Sequence, residues 1–224
     1  HAMWDRIRYL GEADEGALPG DRPEWKATLL DRAANMLQRD KNHPSIVMWS
    51  CGNESFGGSS IAAVADWFRE VDDRPVHYEG IDWDPRYPAT TDVISRMYVK
   101  AADIEPFLAE NPGKPMMLCE YAHAMGNSFG GVEHYIDLAY REPRYQGGFI
   151  WDFADQAVRL VDRHGTAYLG YGGDSGETPN DAEFCGNGIF FADHSPTPKT
   201  AEVAKLYQGL KIAVERTRFT VENR

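Results

Sequence analysis

Basic residues are scarce in this chain: Lys and Arg number 23 against 35 Asp and Glu, a formal net charge of -12. A surface that tracks nucleic acid or an anionic membrane needs concentrated positive charge, so neither is expected as a partner and a neutral or cationic small ligand is favoured. Cysteine is scarce too. Cys51, Cys119 and Cys185 make an odd number without Cys-x-x-Cys spacing, which excludes a disulfide framework and a zinc knuckle; Cys51 and Cys119 read as small packing residues at strand ends. No run approaches the roughly 20 apolar residues of a membrane span, and no basic segment followed by an apolar one stands at the start, so a cytoplasmic location is expected. Internal repeats and low-complexity segments are missing as well. Aromatic residues, by contrast, are plentiful: six tryptophans and 12% Phe, Trp and Tyr suit a site that stacks flat, partly apolar rings.

Along the chain, apolar strands alternate with amphipathic helices. Pro23 opens a helix with Trp25, Leu29, Ala33, Met36 and Leu37 at helical spacing, and Asn42-His43-Pro44 stops it. Residues 45–50 read as a strand, Ser59-Ser60 as the cap of a second helix, 75–78 and 93–98 as strands, and 103–110 as a short helix. Residues 116–119 are a buried strand, 132–140 a helix and 147–151 another strand. This βα alternation with short connections predicts a parallel sheet with helices outside it. Residues 158–169 break the pattern as a hairpin around Asp162-Arg163-His164-Gly165, and 172–188 form a long polar loop. A final helix is expected over 198–210, and the alternation of 212–221 predicts a half-buried strand that opens a separate β domain. About five strands are countable where a closed (β/α)8 barrel has eight, and the opening residues 1–20 have no period; a partial barrel is the expectation.

Two glutamates stand at strand ends: Glu54 in Cys51-Gly52-Asn53-Glu54, and Glu120 in Cys119-Glu120-Tyr121-Ala122-His123. In an α/β barrel that end is the open face, where catalytic side chains are presented. Either glutamate alone reads more readily as a helix cap or a surface ion-pair partner. As a pair, with Asn53 before one and Tyr121 and His123 after the other, they suit glycosidic-bond hydrolysis. That reaction needs one carboxyl to protonate the departing oxygen and another to attack the anomeric carbon or to activate water.

The stretch from Asn42 to Ser55, with Cys119 to Ser128 and Gly147-Gly148-Phe149-Ile150-Trp151-Asp152, resembles the signatures of family-two glycoside hydrolases, and among them the large bacterial β-galactosidases. The resemblance implies an α/β fold, the C-terminal part of a (β/α)8 TIM barrel over residues 1–211, with 212–224 starting a following β-sandwich domain. It implies a retaining hydrolase of terminal β-D-galactosyl residues, with Glu54 as acid/base and Glu120 as nucleophile. Asn53 would contact the sugar 2-hydroxyl, Tyr98 would hydrogen-bond the nucleophile, His123 would bind galactose hydroxyls, Trp151 would present a flat face, and Asn187 would line the sugar site. Trp151 on an apolar strand and His123 also read as ordinary core and structural residues. Magnesium (Mg2+) is implied beside Glu54, with His1 as the matching histidine if His1-Ala2-Met3 is native rather than a remnant of cloning; its partner glutamate would precede the chain. Sodium (Na+) is implied at Phe184 and Asn187, with an upstream aspartate.

The expected partners are a β-galactoside, the upstream part of the enzyme, and further copies in a homo-oligomer. Another family-two activity, β-glucuronidase or β-mannosidase, fits the same motifs, although no cation for a sugar carboxylate is identifiable. A non-catalytic carbohydrate-binding or assembly fragment is the reading from a different class.

Overall fold

A computed structural model describes residues 18–224. The chain forms two compact units: residues up to Arg96 together with Glu110–Cys119, and Met97–Ala109 together with Glu120–Arg224.

In the first unit, helix α1 (Pro23–Asp40) begins on a proline, whose missing N–H is not needed in a first helical turn. Its buried Ala33 and Leu37 meet Val64, Ala65 and Phe68 of α2 (Gly58–Val71). Trp49 of strand β1 (Trp49–Ser50) and Val76 of β2 (Val76–His77) complete this core, and the Trp49 and Phe68 rings stack at 5.7 Å. Each large apolar side chain buried this way contributes about 1.5–3 kcal/mol. β1 and β2 are parallel, with Trp49 opposite Val76 and Ser50 opposite His77.

The strand expected over 45–50 is cut to two residues. Turn hydrogen bonds from His43 N–H to Asp40 O and from Ile46 N–H to His43 O keep the chain curled past the proline, so pairing starts only when Trp49 N–H reaches Pro75 O. The start of α2 also differs from expectation. Gly57 holds the cap position, and Ser59 donates its backbone N–H to Asp21 Oδ1 at 2.8 Å instead of capping the helix itself.

Strands β3 (Ile94–Met97), β4 (Met116–Tyr121) and β5 (Tyr145–Ile150) form a sheet in that order. Helix α3 (Ala101–Glu110) links β3 to β4, and α4 (Val132–Arg141) links β4 to β5. The strand–helix alternation is that of a TIM barrel, of which the described residues make a part without closing it. β4 runs two residues further than expected, so Glu120 is its penultimate residue rather than the first of the loop.

In the second unit, β6 (Val158–Val161) and β7 (Ala167–Gly170) make the expected antiparallel hairpin. The Asp162 carboxylate closes its turn by accepting the N–H groups of His164 and Thr166, both at 2.8 Å. Helix α5 (Pro198–Leu206) is capped by Thr197, whose hydroxyl accepts from Lys199 N–H, and it stops short of the expected Leu210. The closing residues are a hairpin, β8 (Leu210–Glu215) with β9 (Arg218–Asn223), where a single strand was expected. Arg216 turns the chain at φ +51°. Among the described residues no helix is long and apolar enough to cross a membrane.

Candidate active site

Glu54 lies in the loop that follows β1, and the residues that follow β2 hold that loop. Tyr78, buried, donates its phenol to Ser55 O at 2.8 Å, and its phenol oxygen lies so close to Gly80 that a Cβ there would come within 2.2 Å of it. Glu79 accepts the backbone N–H of Glu54 on Oε2 at 2.8 Å and the indole N–H of Trp83 on Oε1 at 2.6 Å. Glu54 has φ +38°, a left-handed conformation uncommon for a residue with a side chain. Its carboxyl group is half-buried, and burial pushes its pKa up. Burial pushes the Glu79 carboxyl up despite its two hydrogen bonds, and the neighbouring Glu54 and Asp82 charges act in the same direction as burial. Asn53 precedes Glu54 in the same half-buried loop.

Glu79 was not a candidate from sequence, since a lone acid after a short strand carries no motif. Its role is visible only once the β1–β2 register brings the two strand ends together. His77 is another residue that sequence reasoning missed. Buried in β2, its ring nitrogens meet Ser50 Oγ at 2.8 Å and Ser95 Oγ at 2.7 Å, a polar string across β1, β2 and β3. Burial lowers its pKa to about 4, so the ring is neutral.

In the second unit, Glu120 is 8% exposed at the end of β4. Tyr98, at φ +55°, donates its phenol to Glu120 Oε2 at 2.7 Å and its backbone N–H to Glu120 O at 2.9 Å. The His123 ring lies 5.8 Å from that of Tyr98 and 5.9 Å from that of Phe184. Phe184 O in turn accepts the Asn187 side-chain N–H at 2.6 Å. Trp151, half-buried, is tied by its backbone to Tyr121 O and Ala124 N–H, and its peptide bond to Asp152 is cis. Tyr98, Glu120, His123, Trp151, Phe184 and Asn187 are thus linked within one unit, Asn53 and Glu54 belong to the other, and His1 lies outside the described residues.

Lys199, a further residue without a sequence signal, donates to Ala124 O and to Gly188 O, so the first turn of α5 ties the His123 loop to the Asn187 loop. Residues adjoining these loops, among them Met125, Cys185, Tyr171 and Phe191, line a mainly apolar cleft of about 500 Å³.

For sodium, the donor set fits in part. Asn187 is 2% exposed and its Oδ1 is buried with no hydrogen-bond partner. The orientation of a side-chain amide is an assignment, and turning this one would set Oδ1 beside the Phe184 carbonyl, giving two hard oxygens. For magnesium, Glu54 is the one candidate ligand that is described, and no group of three or more His, Cys, Asp or Glu among the described residues is arranged to hold a metal.

A profile of the family described as glycosyl hydrolases family 2, TIM barrel domain, matches residues 1–212, and the chain belongs to that family. It is 49% identical over its whole length to a β-galactosidase of Halalkalibacterium halodurans and 51% identical to one of Priestia megaterium, covering 22% of each. It is 46% identical over 94% of its length to the β-galactosidase large subunit of Leuconostoc lactis, covering 34% of it. The chain thus spans about a fifth to a third of the length of these relatives. Among solved structures, a family-2 member from Bacteroides cellulosilyticus superposes with a TM-score of 0.57 at 18% identity, over 83% of this chain and 22% of that one. A β-glucuronidase from Ruminococcus gnavus gives 0.52 at 17% identity, over 83% of this chain and 36% of that one. At such identities the likeness is one of fold.

Proposed function

We propose that this chain carries the two catalytic carboxylates of a retaining β-galactosidase that cleaves terminal β-D-galactosyl residues, with Glu54 as acid/base and Glu120 as nucleophile. The observation that carries the reading is the buried Glu120 at the end of β4 with the Tyr98 phenol on Oε2 at 2.7 Å. The half-identical relatives named β-galactosidase supply the sugar. In the first step a Glu120 oxygen forms a bond to the anomeric carbon as the bond to the aglycone oxygen breaks, and Glu54 gives its proton to that oxygen. In the second, Glu54, now a carboxylate, takes a proton from water, whose oxygen attacks the same carbon and releases Glu120. Tyr98 holds the carboxylate in line and gives up part of its hydrogen bond as negative charge leaves the oxygen. Asn53 is assigned to the sugar 2-hydroxyl, His123 and Asn187 to other hydroxyls, and Trp151 to an apolar face of the ring.

Sodium is assigned to Phe184 O and Asn187 Oδ1, where it would hold a sugar hydroxyl by charge; the buried Asn187 amide beside the Phe184 carbonyl supports this. Magnesium is assigned to Glu54 and His1 on resemblance alone, and no step depends on it. The rest of the enzyme, homo-oligomeric and cytoplasmic, is proposed to complete the site.

The test is to treat the full-length protein with a 2-deoxy-2-fluoro-β-galactosyl inactivator and map the labelled peptide by mass spectrometry. A label on Glu120 is expected. Labelling only by the glucuronic or mannose analogue would replace the substrate, and a label on another residue would overturn the roles.

A further inference from the structure

The loop that presents Glu54 is fastened by an acid that the two-step scheme does not use. Glu54 sits at φ +38°, where a residue with a Cβ stays only if its surroundings hold it. The group that meets its N–H is Glu79 Oε2, at 2.8 Å. Glu79 is 2% exposed, its other oxygen takes the Trp83 indole N–H at 2.6 Å, and among the described residues no lysine, arginine or histidine pairs with it. Burying a carboxyl group costs free energy that an apolar residue of similar size would not incur, so packing alone does not account for an acid here. A carboxylate is an acceptor on both oxygens, whereas an amide presents N–H groups on one side and can turn the wrong way. Both donors facing Glu79 are N–H groups, and an ionised carboxylate is the side chain that satisfies both without ambiguity. The neighbouring residues serve the same loop: Tyr78 bonds Ser55 O, and Gly80 leaves room for the Tyr78 phenol.

We propose that Glu79 is a positioning residue for the acid/base: by holding the Glu54 backbone in its left-handed turn, it aims the Glu54 carboxyl at the departing oxygen. This rests on the reading of Glu54 as the acid. It predicts a specific defect. Losing Glu79 should impair proton donation to poor leaving groups and spare substrates whose leaving group departs without a proton.

The experiment uses the full-length protein and two galactosides, 2,4-dinitrophenyl β-galactoside and lactose, comparing kcat/KM, which reports formation of the glycosyl-enzyme. Glu79→Ala should lose about 30-fold or more on lactose and about 3-fold or less on the dinitrophenyl substrate, within the range that general acid catalysis supplies. Glu79→Gln, able to keep one acceptor on the Glu54 N–H, should recover most of the lactose activity. Trp83→Phe, which leaves Glu79 on Glu54, should treat both substrates alike. If Glu79→Ala does not fold, Glu79→Asp, one methylene too short, should give the same leaving-group-dependent loss. Equal losses on both substrates, or none on either, would overturn the proposal. Glu54→Ala separates the two readings. If it lacks the lactose-selective loss, the acid/base assignment fails; if it shows that loss and the Glu79 variants do not, only the role of Glu79 fails.

Discussion

Glu120, the proposed nucleophile, and Tyr98 are 2.7 Å apart through a charge-assisted hydrogen bond, and removing it is the gentlest test of that role. Such bonds contribute about 1.5–3 kcal/mol, so Tyr98→Phe should lower kcat about 10- to 100-fold with the fold intact, read by steady-state kinetics beside a melting curve. Glu54, raised by burial, stays protonated to higher pH than an exposed glutamate. In its proposed role as the acid it would work below its pKa and fail as pH rises through it. The alkaline limb of kcat/KM should therefore lie above the ordinary glutamate range and vanish in Glu54→Gln. His77 has the opposite sign. Its folded pKa of about 4 lies below the unfolded value of about 6.5, so its contribution to stability is complete above the unfolded value and is lost as pH falls through the window between the two. Urea midpoints at the two ends of that window should differ by up to about 3 kcal/mol in stability, and His77→Gln should shrink the difference. Glu54 and Glu120 were legible because each stands in a run of consecutive telling residues. Glu79, His77 and Lys199 were not, because Glu54 for the first, Ser50 and Ser95 for the second and Ala124 for the third are brought close only by the fold.

Among the elements, the order of strands and helices was legible from periodicity, and the ends were not. β1 shrank because turn bonds around Pro44 outlast the proline. α2 starts early because its first-turn N–H finds Asp21, 38 residues upstream, an acceptor that no local window contains. β8 and β9 read as one strand because their turn, at Arg216, has neither glycine nor asparagine to mark it. The junction of β2 with the Glu54 loop depends on the lack of a side chain at Gly80. Gly80→Ala would put a Cβ 2.2 Å from the Tyr78 phenol and 2.5 Å from Ser55 O, and should cost about 1–3 kcal/mol by denaturant titration, as overpacking does. At α5, Thr197→Val removes the cap and the hydroxyl bond to Ile189 O. A loss of about 1–2 kcal/mol is expected, with disorder spreading to the loops that Lys199 ties.

At the scale of the molecule, the closing hairpin bears an apolar face. Ile212 pairs with Val221 and Val214 with Phe219, and Val214 and Phe219 are 72% and 71% exposed. Apolar sheet faces of this kind associate, so residues 18–224 expressed alone should sediment as more than a monomer. A single monomeric boundary with cooperative melting would refute that. The family was legible from three motifs, whereas the division into two units was not, since it arises from contacts distant in sequence. The chain changes unit after Arg96, Ala109 and Cys119. That interleaving governs recombination with the relatives. A single crossover before residue 97 or after 119 leaves one unit wholly of one parent, whereas a crossover between 97 and 119 makes both units hybrids. Viable chimaeras should therefore be depleted of junctions in that 23-residue window, which also begins and ends at the flanks of Tyr98 and Glu120.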